Sequence, residues 1–174
     1  MFFRGKKEIN NKGYSLAEIS VVILISGILL MIASSLYKSQ TTNSNLREAA
    51  GDLMSDIKLA KQRAAAEYSE RVSNVEYDVN YRITIDKDNN KYSVQGYYVK
   101  DGATIYKYNV TKNLTNYGKG IKILDNTYGA NTITFQNRGT CSNGHITLQN
   151  SLGSNITITT SLMGRVKSEE TYMH

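Results

Sequence analysis

Few side chains in this sequence are spaced to do chemistry. Cys141 and His145 lie four apart in Thr-Cys-Ser-Asn-Gly-His, a pair that could ligate a metal or couple a thiol to an imidazole. A zinc site needs three or four protein ligands and no further one is near in sequence, so Cys141 reads as a loop residue and His145 as a strand start. Asp86, Asp88, Asn89 and Asn90 suggest a calcium loop but lack its spaced glycine and closing glutamate; a polar hairpin turn accounts for them. Asn109, Asn113 and Asn155 open Asn-X-Thr triplets, which a chain rich in both residue types produces by chance. No glycine-rich phosphate loop and no Ser–His–Asp set is present. Glu18 is different. It is a carboxylate at the head of nineteen uncharged residues, 19–37, where an ionised group is disfavoured and so suggests a function.

A second group is basic. Lys107, Lys112, Lys119, Lys122, Arg138, Arg165 and Lys167 stand in the later half, many beside tyrosines, a combination able to hold nucleic-acid phosphates. Glu169 and Glu170 follow Arg165 and Lys167 directly and offset them, so a solvated basic surface is the simpler reading. Composition narrows the classes further. With 174 residues, a net charge of +6, one cysteine, two histidines, and thirteen tyrosines against three phenylalanines, the chain fits one modest domain with a half-wet sheet. It has no internal disulfide and little material for an active site. No catalytic residue, cofactor or metal is expected.

The element that positions Glu18 must be a helix. Residues 19–37 span about 28 Å at 1.5 Å per residue, close to the hydrocarbon thickness of a bilayer. A chain this small has no core wide enough to surround such a helix on every side. Eleven Ile, Leu and Val between residues 19 and 36 contribute roughly 3–7 kcal/mol to insertion, against about 2.5–3.5 kcal/mol for an acidic residue at mid-bilayer and less near its edge. Arg4, Lys6, Lys7 and Lys12 precede the run, offset only by Glu8, whereas Lys38 and Arg47 behind it are balanced by Glu48 and Asp52. The N-terminus therefore stays cytoplasmic in a single-pass arrangement and the remainder is exported. A conventional secretory signal fits less well, because its apolar core runs about 7–15 residues and gives Glu18 no role.

The helical period continues beyond the apolar run. Leu46, Ala50, Leu53, Ile57, Ala60 and Ala64 recur at alternating steps of four and three, an apolar seam for a coiled coil or, since only its Leu and Ile are large, for packing on the protein's own sheet. One helix is expected from Tyr14 to about Tyr68, with a weak point at residues 40–45 where helix propensity is low. Period two then takes over, predicting strands at residues 81–86, 92–99, 103–110, 120–124, 132–136, 145–149 and 155–160, with a short last one at 164–167. The fold class is α+β: a long N-terminal helix, half in the membrane and half exported and amphipathic, packed on an antiparallel β-sheet domain.

The string Lys12-Gly13-Tyr14-Ser15-Leu16-Ala17-Glu18 ahead of the apolar run resembles the class III signal of type IV prepilins and pseudopilins. Residues 46–67, the stretch Ile133-Thr134-Phe135-Gln136-Asn137-Arg138-Gly139 and the later Gly164-Arg165-Val166-Lys167 resemble the GspH/FimT group of minor pilins and pseudopilins. Asn137 stands where that group often has proline. The resemblance implies a cleaved basic leader, residues 1–13, a transmembrane and polymerisation helix, 14–40, and an exported pilin-like domain, 41–174. It implies cutting between Gly13 and Tyr14 by a prepilin peptidase, N-methylation of Tyr14, and subunit assembly through Glu18. The implied partners are other pilins or pseudopilins and their assembly machinery. The chain would reside in the cell membrane and then in a surface pilus or pseudopilus. Some members of the resembled group serve DNA uptake, and Arg138, Arg165 and Lys167 are the residues that would then contact DNA. Glycine before the cut leaves the backbone accessible to a tight protease cleft. Loss of the leader removes +3, four basic residues against Glu8, and exposes an α-amino cation as partner for a neighbour's Glu18.

Overall fold

The computed structural model describes residues 15–66, 69–73, 75–136 and 138–173. Helix α1 covers Leu16–Ala66. The chain divides into two units, one ending at Lys38 and the other Ser39–His174. In the first unit every described residue is exposed, from Leu16 at 85% to Tyr37 at 72%. A helix that is apolar all round and uncovered by its own chain needs lipid or other helices around it.

In the second unit α1 passes through residues 40–45 without interruption, although low propensity marks that stretch as a weak point. Its polar side chains find tertiary partners instead of competing for the helix backbone: Asn150 Nδ2 donates to Asn43 Oδ1 at 2.8 Å. Seven residues of α1 are buried there, namely Leu46, Ala49, Ala50, Leu53, Ile57, Ala60 and Ala64. The seam thus packs on the protein's own sheets, and its alanines let the helix approach closely.

The strands are β1 (Ser69–Val72), β2 (Val75–Asp78), β3 (Asn80–Asp86), β4 (Lys91–Lys100), β5 (Ala103–Asn113), β6 (Lys122–Asn126), β7 (Thr132–Phe135), β8 (Gly144–Gln149), β9 (Asn155–Thr160) and β10 (Val166–Thr171). They form two four-stranded antiparallel sheets, in the orders β5-β4-β3-β7 and β10-β9-β8-β6, and a separate β1-β2 hairpin. Tyr81, Ile83 and Ile85 point inward from β3, Ile146 and Leu148 from β8, and Ile156 and Ile158 from β9, in one core with the helix seam. The alternation of apolar and polar residues that predicts these strands reflects that one-sided burial.

Three details depart from the sequence expectation. The β1-β2 hairpin has no predicted counterpart, because its strands are too short and too charged to alternate. It is held from outside, by Lys107 Nζ on Glu70 at 2.7 Å and by the Tyr77 and Tyr98 rings at 5.4 Å. The final strand starts later than 164–167, since Gly164 has φ of 71° and belongs to the turn before it. The strand expected at 120–124 runs Lys122–Asn126 instead, carrying a bulge between Ile123 and Asp125.

Candidate functional site

Glu18 lies in the first turn of α1. Ser15 N donates to Glu18 Oε2 at 2.7 Å, and Glu18 N donates to Ser15 Oγ at 3.3 Å. This reciprocal pair is a capping box, satisfying two of the amides that a helix start leaves without partners. The signal was present as Ser15-Leu16-Ala17-Glu18, Ser-x-x-Glu before an apolar run, and the reading of Glu18 as an assembly residue overlooked it. The two roles are compatible, because a carboxylate has about four lone-pair sites and the cap uses only part of them. Gly13 and Tyr14, the expected cleavage and methylation positions, lie outside the described residues.

In the Ser39–His174 unit the helix is clasped to the strands by a polar cluster that period and composition did not reveal. Asp52 and Asp56, one turn apart on α1, receive Tyr117 Oη at 2.6 Å and Tyr92 Oη at 2.7 Å respectively. Lys112 Nζ lies 2.8 Å from Asp56 and 3.6 Å from Asp52. Burial, reinforced by the Asp56 hydrogen bond, pushes the Tyr92 hydroxyl well above the ordinary tyrosine value. Burial and then Asp52 do the same to Tyr117. Burial works against the Lys112 ammonium, but the bond and charge of Asp56, with Asp52 beside it, outweigh it and leave its pKa raised. The i, i+4 spacing of the two aspartates was visible in sequence. Their partners, from 36 to 65 residues away, were not.

Arg138 and Arg165 are exposed on adjoining turns: a Cβ at Gly164 would collide with Gly139 O. Lys61 joins them from α1, donating to Gly164 O at 2.9 Å, a cation that the sequence reading did not include. Lys167 is exposed two residues after Arg165, in β10. Glu170 is bound at the other end of that strand, by Arg47 at 3.4 Å and Tyr172. Five residue steps of extended chain, about 16 Å, separate Glu170 from Arg165, whereas Glu169 stands two residues from Lys167 on the same face of β10.

Cys141 and His145 have separate surroundings. Cys141 is buried, bridges to Phe135 in the ladder and directs its thiol to Ser161 O at 3.3 Å. His145 Nε2 meets Asp125 at 3.1 Å, and that contact holds the Asp125 carboxyl below its usual value. Asp86 caps the β3–β4 turn by accepting from Asn89 N at 3.1 Å, as the polar-turn reading requires.

A chain titled as the minor pseudopilin EpsH from the Type 2 Secretion System of Vibrio cholerae superposes with a TM-score of 0.54 at 12% identity, covering 72% of this chain and 97% of that one. At that identity the likeness shows the fold, a pilin-like α+β arrangement. No curated protein matches by sequence. The model of the family described as Type II transport protein GspH matches residues 49–164, from the buried helical seam to the Gly164 turn. The chain therefore belongs to the GspH family, whose members are structural filament subunits and not enzymes.

Proposed function

We propose that this chain is a minor subunit of a type II secretion pseudopilus or a related type IV pilus, built into the filament through its N-terminal helix. In this reading a prepilin peptidase removes residues 1–13, Tyr14 is methylated, and residues 16–37 hold the subunit in the membrane until it is extracted. The carrying observation is a bare apolar helix headed by Glu18 and joined to a GspH-family domain. In a filament the helices of neighbours replace lipid, and Glu18 must then meet a cation or remain an unpaired charge in a low-dielectric core. Mass spectrometry of the mature N-terminus tests the processing step. Methyl-Tyr14 is the expected first residue, and a start at any other position overturns it.

A second reading is favoured by one observation, the grouping of Lys61, Arg138 and Arg165 at one end of the exported unit. Three cations on adjoining turns suit a phosphate backbone, and a displayed pilin with such a patch could serve DNA uptake. Retention of duplex DNA by the full chain in neutral detergent would decrease with salt, and Arg138→Ala with Arg165→Ala would weaken it by about tenfold or more. Absence of binding at low salt removes this reading and leaves the first intact.

A further inference from the structure

Three surface segments of the Ser39–His174 unit converge on the start of its helical part. The β8–β9 turn is anchored by Asn150, 2% exposed, whose amide donates to Asn43 Oδ1 at 2.8 Å and Thr42 O at 3.4 Å. The loop before β6 sits beside them: a Cβ on Gly118 would meet the Asn45 amide at 2.7 Å, and one on Gly120 would meet Ser151 Cβ at 2.8 Å. The C-terminal tail completes the group, with Met173 N donating to Ser154 Oγ at 3.0 Å. Each segment exposes a side chain there: Leu152 at 40%, Met173 at 52%, and Lys119.

Their distance from the bilayer is limited by the covalent chain. Thr42 follows Tyr37, the last residue of the uncharged run, by five residues, about 8 Å as helix and no more than about 18 Å fully extended. With residues 16–37 read as a span, this tether leaves the membrane interface within reach of Leu152 and Met173. The β9–β10 turn, with Leu162 at 67% and Met163 at 87% exposed, lies instead beside Lys61, about 28 Å farther along α1 than Thr42.

Exposed leucine and methionine next to a lysine suit the boundary between headgroups and acyl chains. There apolar side chains enter about 5–10 Å deep and an ammonium remains among the phosphates. We propose that, before assembly, Leu152, Met173 and Lys119 form a lipid-facing patch that seats the exported unit in the headgroup layer. The inference rests on the reading of residues 16–37 as a membrane span.

The chain has no tryptophan, so single introduced tryptophans report depth without background. The full chain carrying Leu24→Trp, Leu152→Trp or Leu162→Trp is reconstituted into liposomes of phosphatidylcholine and phosphatidylglycerol containing brominated lipid. Leu24→Trp is expected to be quenched by bromines deep in the chains, Leu152→Trp by bromines near the headgroup, and Leu162→Trp by neither. Adding Met173→Glu and Lys119→Glu to Leu152→Trp is expected to remove most of its quenching. Unquenched Leu152→Trp beside quenched Leu24→Trp overturns the patch while sparing the span. Equal quenching of Leu152→Trp and Leu162→Trp, or quenching indifferent to the added glutamates, also overturns it. Unquenched Leu24→Trp overturns the span itself, and the patch falls with it.

Discussion

Glu18 caps its helix with Ser15, and in the filament proposed above it also neutralises a neighbour's terminal amine; substitutions can separate the two tasks. Glutamine satisfies a capping box as well as glutamate does, but it cannot neutralise a neighbour's terminal amine. Glu18→Gln is therefore expected to insert in membranes normally and to preserve helix content, yet to enter sheared filaments at least about tenfold less, as for a buried pair worth about 1.4 kcal/mol or more. Glu18→Ala should lose the cap as well, fraying the first turn in addition to failing in assembly. Normal filament incorporation of Glu18→Gln would leave the carboxylate with only its capping role. The anomaly of Glu18 was legible because it needs only a carboxylate and an uncharged run in sequence. Its bond to Ser15 was equally legible from three-residue spacing.

Among the elements, the contact of α1 with the sheets joins an alanine-lined apolar seam to a polar clasp. Tyr92 is fully buried and Asp56 partly so, so Tyr92→Phe removes a bond to a charged acceptor and should cost about 1.5–3 kcal/mol in denaturant unfolding. The same clasp sets an alkaline limit. Both Tyr92 and Tyr117 are held above the usual tyrosine value of about 10. The unfolded chain thus loses these protons first and binds fewer above that pH. Their stabilisation is complete below pH of about 10 and declines as the pH rises toward the folded values. Tyr92→Phe with Tyr117→Phe should flatten that decline; an unchanged slope would show that other groups govern it. Strands β3, β4, β8 and β9 were readable because one-sided burial gives period two. The β1-β2 hairpin was not, because its stability comes from Lys107 and Tyr98 on other strands.

For the whole molecule, every buried core side chain among the described residues falls between Leu46 and Ile158, inside one of the two units. A chain limited to Ser39–His174 is therefore expected to unfold cooperatively, with a midpoint within a few degrees of the full chain in detergent. Loss of cooperative unfolding would mean that the apolar half of α1 supports the fold. Family membership through residues 49–164 concerns this same unit, while in the proposed function the apolar helix and its acid are what link it to membrane and filament.

Sequence alone determined the apolar run, the charge asymmetry around it, the isolated acid at its head, the helical seam and most strands. These follow from covalent spacing and from periods of two and 3.6, which neighbouring residues express without knowledge of the rest of the chain. Tertiary structure alone decided which distant groups meet: Tyr92 and Lys112 on Asp56, Lys61 beside the turns of Arg138 and Arg165, and Glu170 on Arg47. Such encounters depend on strand order and turn geometry. An acid five residues from a cation in sequence thus lies about 16 Å from it along a strand, while a lysine 103 residues from Gly164 donates a hydrogen bond to its carbonyl.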